Sequence, residues 1–167
     1  MSGPNHATDL LSDHVKDEIE HWKARFPQGR ERSAVISALH AVQHENDGYL
    51  TAELMNAVAD YLGLPTIQVY EVATFYSMFQ TKAVGRHNVA ICTNVSCMLR
   101  GADAIVDHVE GKLGIKLGNS TDDGRIYLKR EEECLAACCG ALMMMVDHKY
   151  HENLTTAQVD EILDGLD

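Results

Sequence analysis

Apolar positions in the first eighty residues recur at helical spacing. Leu11, Val15, Ile19 and Trp22 share one face and predict an amphipathic helix that stops before Phe26-Pro27. A second helix is predicted from about Ser33 to Glu45, with Val35, Leu39 and Val42 on one side, and Asp47-Gly48 turns the chain into a third. Thr51 is placed to cap that third helix, Leu54, Val58 and Leu62 form its apolar face, and Gly63 suits the left-handed residue that ends a helix. Leu64-Pro65-Thr66 opens a fourth, whose Ile67, Val69, Val72 and Phe75 make it apolar on several sides.

The period changes after the polar joint Gln80 to Asn88. Val89-Ala90-Ile91 and Arg125 to Lys129 read as strands, with a helix from Ala104 to Leu113 between them. Leu142 to Val146 is an apolar run fit for a buried strand, Asp147 to Asn153 is a polar turn, and Thr155-x-x-Gln158 is a capping box opening the last helix. The chain is therefore read as α/β, a helical domain over 1–82 followed by a sandwich of thioredoxin size over 83–167.

With 167 residues and 46% hydrophobic content, such a chain can bury a core. A formal charge of -11 with no basic stripe argues against nucleic acid as a partner. No stretch reaches the roughly eighteen apolar residues of a membrane span, and the opening MSGPNHATDL lacks a basic start and an apolar segment. A soluble cytoplasmic protein with no direct membrane insertion is expected.

In a reducing compartment, five clustered cysteines point to metal or redox chemistry rather than disulfides. Cys92 and Cys97 stand in Cys-Thr-Asn-Val-Ser-Cys, and Cys134 and Cys138 in Cys-Leu-Ala-Ala-Cys, each pair just beyond a predicted strand. Two such loops can meet at one end of a sheet and present four thiolates to one inorganic centre. Spacing alone leaves an iron–sulfur cluster and structural zinc both open. Neither pair has the Cys-x-x-Cys spacing of a dithiol redox enzyme.

Four motifs stand in order: Arg32-Ser-Ala-Val-Ile-Ser-Ala-Leu-His40, Leu64-Pro-Thr-Ile-Gln-Val-Tyr-Glu-Val-Ala-Thr-Phe-Tyr-Ser-Met-Phe79, Cys92-Thr-Asn-Val-Ser-Cys-Met-Leu-Arg-Gly101 and Glu133-Cys-Leu-Ala-Ala-Cys138. Together, over roughly residues 10 to 165, they resemble the 24 kDa (E-type) subunit of respiratory complex I, a thioredoxin-like [2Fe-2S] ferredoxin family. The resemblance implies one [2Fe-2S] cluster on Cys92, Cys97, Cys134 and Cys138, in an electron-transfer subunit of NADH:quinone oxidoreductase with no substrate site of its own. It implies a flavoprotein partner subunit that carries FMN, NADH and a [4Fe-4S] cluster, and further peripheral-arm subunits on the cytoplasmic face of the inner membrane. Similar pairs occur in soluble NAD-linked hydrogenases and formate dehydrogenases. One departure is visible: where the family usually has Ala-Pro after the last ligand, this chain has Ala141-Leu142, so if that bond is cis in relatives, here it is either trans or bears a cis cost of about 3 to 4 kcal/mol.

An added electron makes such a cluster more negative, so acids beside it oppose reduction. Glu131, Glu132 and Glu133 lead into Cys134. A carboxylate about 6 Å away at an effective dielectric near 20 would cost about 2 to 3 kcal/mol, on the order of 100 mV for one electron, and predicts a low potential. Backbone amides of 93–98 and 135–140 are the expected donors to the cluster sulfurs. No Gly-x-Gly-x-x-Gly follows a strand, and the nine histidines include no pair beside the cysteines. Cys139 is expected to be a buried bystander, Met143 to Met145 core filling beneath the cluster, and the stripe Tyr70 to Phe79 core.

Overall fold

A computed structural model describes residues 8–130 and 134–167. The chain forms two compact units that divide between Ala83 and Val84. Glu131, Glu132 and Glu133, on which the electrostatic expectation rests, lie outside the described residues, as do residues 1–7.

The first unit is four helices: α1 (Asp13–Lys23), α2 (Val35–Glu45), α3 (Ala52–Leu62) and α4 (Thr66–Phe75). Ser12 accepts the amide of Val15 and Thr51 that of Leu54, each relieving an end donor that the helix cannot satisfy itself. Gly63 closes α3 with φ +65°, the conformation its lack of a Cβ permits. Val15, Ile19, Leu39, Val42, Val58 and Val69 fill the core. The segment after α4 returns across α2, where Gln43 donates to the Met78 carbonyl and accepts from the Gln80 amide. The aromatic stripe is only partly core: Phe79 is buried, but Phe75 is 79% exposed and Tyr76 is also exposed. The helix ends there, and an apolar element without a single face cannot turn every side chain inward.

The second unit is a five-stranded sheet in the order β2-β3-β1-β4-β5. Its strands are β1 (His87–Ile91), β2 (Asn119–Ser120), β3 (Ile126–Lys129), β4 (Met144–Val146) and β5 (Lys149–His151). A four-residue helix α5 (Val95–Met98) and the longer α6 (Ala102–Leu113) connect β1 to β3, which lies parallel beside it with Val89 opposite Leu128. Helix α7 (Thr156–Asp164) opens with the complete Thr155/Gln158 capping box. Strand β1 alternates as a two-faced strand should. Val89 and Ile91 join a core with Ile105 and Val109 of α6 and Val159 and Leu163 of α7, whereas Ala90 and Cys92 belong to a second cluster with Cys97, Ala102, Ala141 and Met143.

The polar stretch 147–153, read as a turn, holds a two-residue turn at Asp147-His148, both at positive φ, and then strand β5. The apolar run from Leu142 contributes a strand only from Met144. The Ala141–Leu142 bond is cis.

Candidate metal centre

Parallel neighbours deliver their following segments to the same end of a sheet, and β1 and β3 do so here. Cys92 follows β1 directly, and its amide donates to the Met143 carbonyl beside β4. Asn94 caps α5 by accepting the Val95 amide at 2.8 Å, and this short helix returns Cys97 towards Cys92. Both sulfur-bearing residues are part of the core, 2% and 1% exposed respectively. Cys134 and Cys138 lie on an irregular segment that ends in the 3-10 turn Cys138–Gly140, and both are exposed. Their sulfurs stand 3.4 Å apart.

The four predicted ligands line one space, together with Asn94, Ser96, Ala137 and Met143. All five cysteines are free thiols. Among the described residues, no three His, Cys, Asp or Glu groups are placed to hold a single metal ion. The two cysteine pairs thus share one sulfur-lined space, apolar apart from one amide and one hydroxyl. Those donors fit a thiolate-held iron–sulfur cluster, since soft sulfur ligands with few competing oxygens are what such centres take.

Burial pushes the Cys97 thiol up to about 11; the neighbouring Cys92 sulfur adds to the rise, and a hydrogen bond from the Met143 backbone opposes it. Two backbone donors therefore reach sulfur. The amide of Ala136, whose φ of +63° folds the segment back, donates to Cys134 Sγ at 3.3 Å, and the amide of Met143 donates to Cys97. The first falls in the expected stretch 135–140. The second falls outside both expected stretches, because a backbone donor from a distant strand leaves no mark in composition or spacing. Met143 and Met144 are buried, Met143 against the sulfur-lined space and Met144 in the core beneath α6 and α7.

Cys139 is exposed, not buried, and does not line the space. Alternation between neighbours holds for extended backbone, whereas Cys138 and Cys139 share a 3-10 turn. Gly140 behind them is buried against Glu152: a Cβ there would collide with the glutamate side chain, 2.6 Å from its own Cβ.

The sequence matches the thioredoxin-like [2Fe-2S] ferredoxin family over residues 19–167. It is 43% identical over 152 residues to an E-type subunit of NADH-quinone oxidoreductase from Rhizobium meliloti, covering 91% of this chain and 88% of that protein. With the E-type subunit of NADH-quinone oxidoreductase from Rickettsia conorii it shares 40% identity over 142 residues, covering 85% and 84%. The mitochondrial NADH dehydrogenase [ubiquinone] flavoprotein 2 of Dictyostelium discoideum is 34% identical over 176 residues, covering 95% of this chain and 71% of the relative. Among solved structures, an NAD+-reducing [NiFe]-hydrogenase in the air-oxidized state has a similar fold, with a TM-score of 0.65 at 22% identity over 75% of this chain; the match spans 22% of the hydrogenase chain.

Proposed function

Because this chain belongs to the thioredoxin-like [2Fe-2S] ferredoxin family, we propose that it is an electron-transfer subunit of an NADH:quinone oxidoreductase, with one [2Fe-2S] cluster held by Cys92, Cys97, Cys134 and Cys138. The observation that carries this is the single space lined by all four of those thiols. When bound, a cluster of this kind supplies a one-electron site of low potential.

Everything else is the work of this chain's own residues. Cys92 and Cys97 present two thiolates from the core, so half of the site is fixed by packing. The Ala136 and Met143 amides donate to ligand sulfurs and offset part of their negative charge. Met143 and Ala137 add carbon to the wall of the space. The high thiol pKa of Cys97 means that a proton must leave as the centre is loaded.

We assign residues 1–82 to the helical domain and 83–167 to the cluster domain, a division supported by the compact-unit boundary between Ala83 and Val84. The partner we infer is a flavoprotein subunit holding FMN and NADH, in a peripheral arm on the cytoplasmic side of a membrane. Among the described residues no helix is long and apolar enough to cross one. The same role in a soluble NAD-linked hydrogenase is the second reading, favoured by the hydrogenase likeness in fold.

Anaerobic purification of the full chain tests the assignment. A red-brown protein with about two irons and about two acid-labile sulfides per chain is expected, whereas a colourless zinc protein would overturn it. Affinity purification from the native host separates the two complexes: a quinone-reducing membrane fraction is expected, and co-purifying nickel would favour the hydrogenase.

A further inference from the structure

The sulfur-lined space is lined by two polar residues besides the cysteines, Asn94 and Ser96. They are not equivalent. Asn94 is exposed, and its oxygen is committed to the Val95 amide as the cap of α5, so its place is explained by the local backbone. Ser96 is half-buried, sits immediately before Cys97 and forms no side-chain hydrogen bond to any described residue. A hydroxyl can rotate its proton towards whatever acceptor faces it. The four cysteines that line the same space offer sulfurs as acceptors, and these carry negative charge once the thiolates form.

Resting on the cluster assignment above, we propose that the Ser96 hydroxyl donates a hydrogen bond into the cluster site and raises its reduction potential. The direction follows from charge. Reduction adds one electron and no proton to a centre that is already negative, so a donor aimed at its sulfurs stabilises the reduced form more than the oxidised one. Ser96 is a positioning residue in this sense, acting on the potential and not on ligation. It adds to the two amides of Ala136 and Met143, but unlike them it can be removed by substitution without touching the backbone.

The test is an EPR-monitored redox titration of the anaerobically purified full chain and its Ser96→Ala, Ser96→Thr and Ser96→Val variants, with iron and sulfide counted in each. At a fixed applied potential the alanine and valine variants should show a reduced-to-oxidised ratio about tenfold lower than the parent, a midpoint lower by about 59 mV for one electron, at unchanged iron content. Threonine should restore the parent midpoint. Threonine and valine have the same shape, so their difference reads the hydroxyl even if alanine fails to load. A valine midpoint equal to that of threonine, or a threonine shift as large as that of valine, overturns the role of the serine while leaving the cluster assignment standing. A parent chain without iron or sulfide overturns the cluster assignment itself.

Discussion

The two cysteine pairs proposed to hold the cluster stand on opposite kinds of support. Cys92 and Cys97 are core residues, packed with Ala90, Ala102 and Met143 and positioned by a strand end and a capped helix. Cys134 and Cys138 are exposed, on a segment held by a positive φ at Ala136, a 3-10 turn and the backbone of Gly140 and Ala141. The first pair is therefore built as part of the fold, and the second is laid against it. In the first pair a proposed ligand is also a core residue.

The largest effect is expected from removing a proposed ligand. Cys97→Ser and Cys134→Ser should both take iron from about two per chain to near none, but urea titration of the apoproteins should separate them. A hydroxyl in the buried site of Cys97 should cost about 1 to 3 kcal/mol, whereas exposed Cys134→Ser should stay within about 0.5 kcal/mol. Equal losses would break the comparison. Next in size is Gly140→Ala, where the added methyl meets the Cβ of Glu152. Overpacking of that kind should cost about 1 to 3 kcal/mol by calorimetry and should speed loss of iron, since Gly140 ends the 3-10 turn that carries Cys138.

A smaller effect concerns the scaffold behind the first pair, where Asp160 of α7 meets His108 and Lys112 of α6 at 2.8 and 3.3 Å. The hydrogen bond from His108 holds the Asp160 carboxyl below its ordinary value of 3.8 against the opposing effect of burial, and Lys112 adds a smaller lowering. A depressed carboxylate stabilises the fold above its unfolded value, and that contribution fades as pH falls through the folded one. Asp160→Asn should therefore lower Tm near neutral pH, and the difference should shrink as the pH falls below the ordinary carboxyl value of 3.8; a gap of the same size in acid would refute the pairing. Smallest of all, Cys139→Ser should leave iron content unchanged and stability within about 0.5 kcal/mol.

The helices, their caps and the meeting of the two loops could be read from the chain because each has a local signal: Thr51 and Gly63 at the ends of α3, Thr155 and Gln158 at the start of α7, and strand-then-cysteine twice over. What could not be read lacked such a signal. Helix α5 is one turn long, too short for any period to show. Strand β5 is Lys-Tyr-His, polar enough to pass for a turn, and exists because β4 pairs with it. The exposure of Cys139 depends on a 3-10 turn that alternation does not anticipate, and the Met143 donor depends on where a distant strand begins.

The sheet's outer strands carry a last consequence. One margin is two residues, Asn119–Ser120, and the other three, Lys149–His151, with no aliphatic side chain in either. Brief, polar margins offer a stray chain few free amides and carbonyls to zip onto, a common defence of β-proteins against clumping. A chain with apolar side chains as exposed as Phe75 and Leu99 needs that defence while it waits to be assembled.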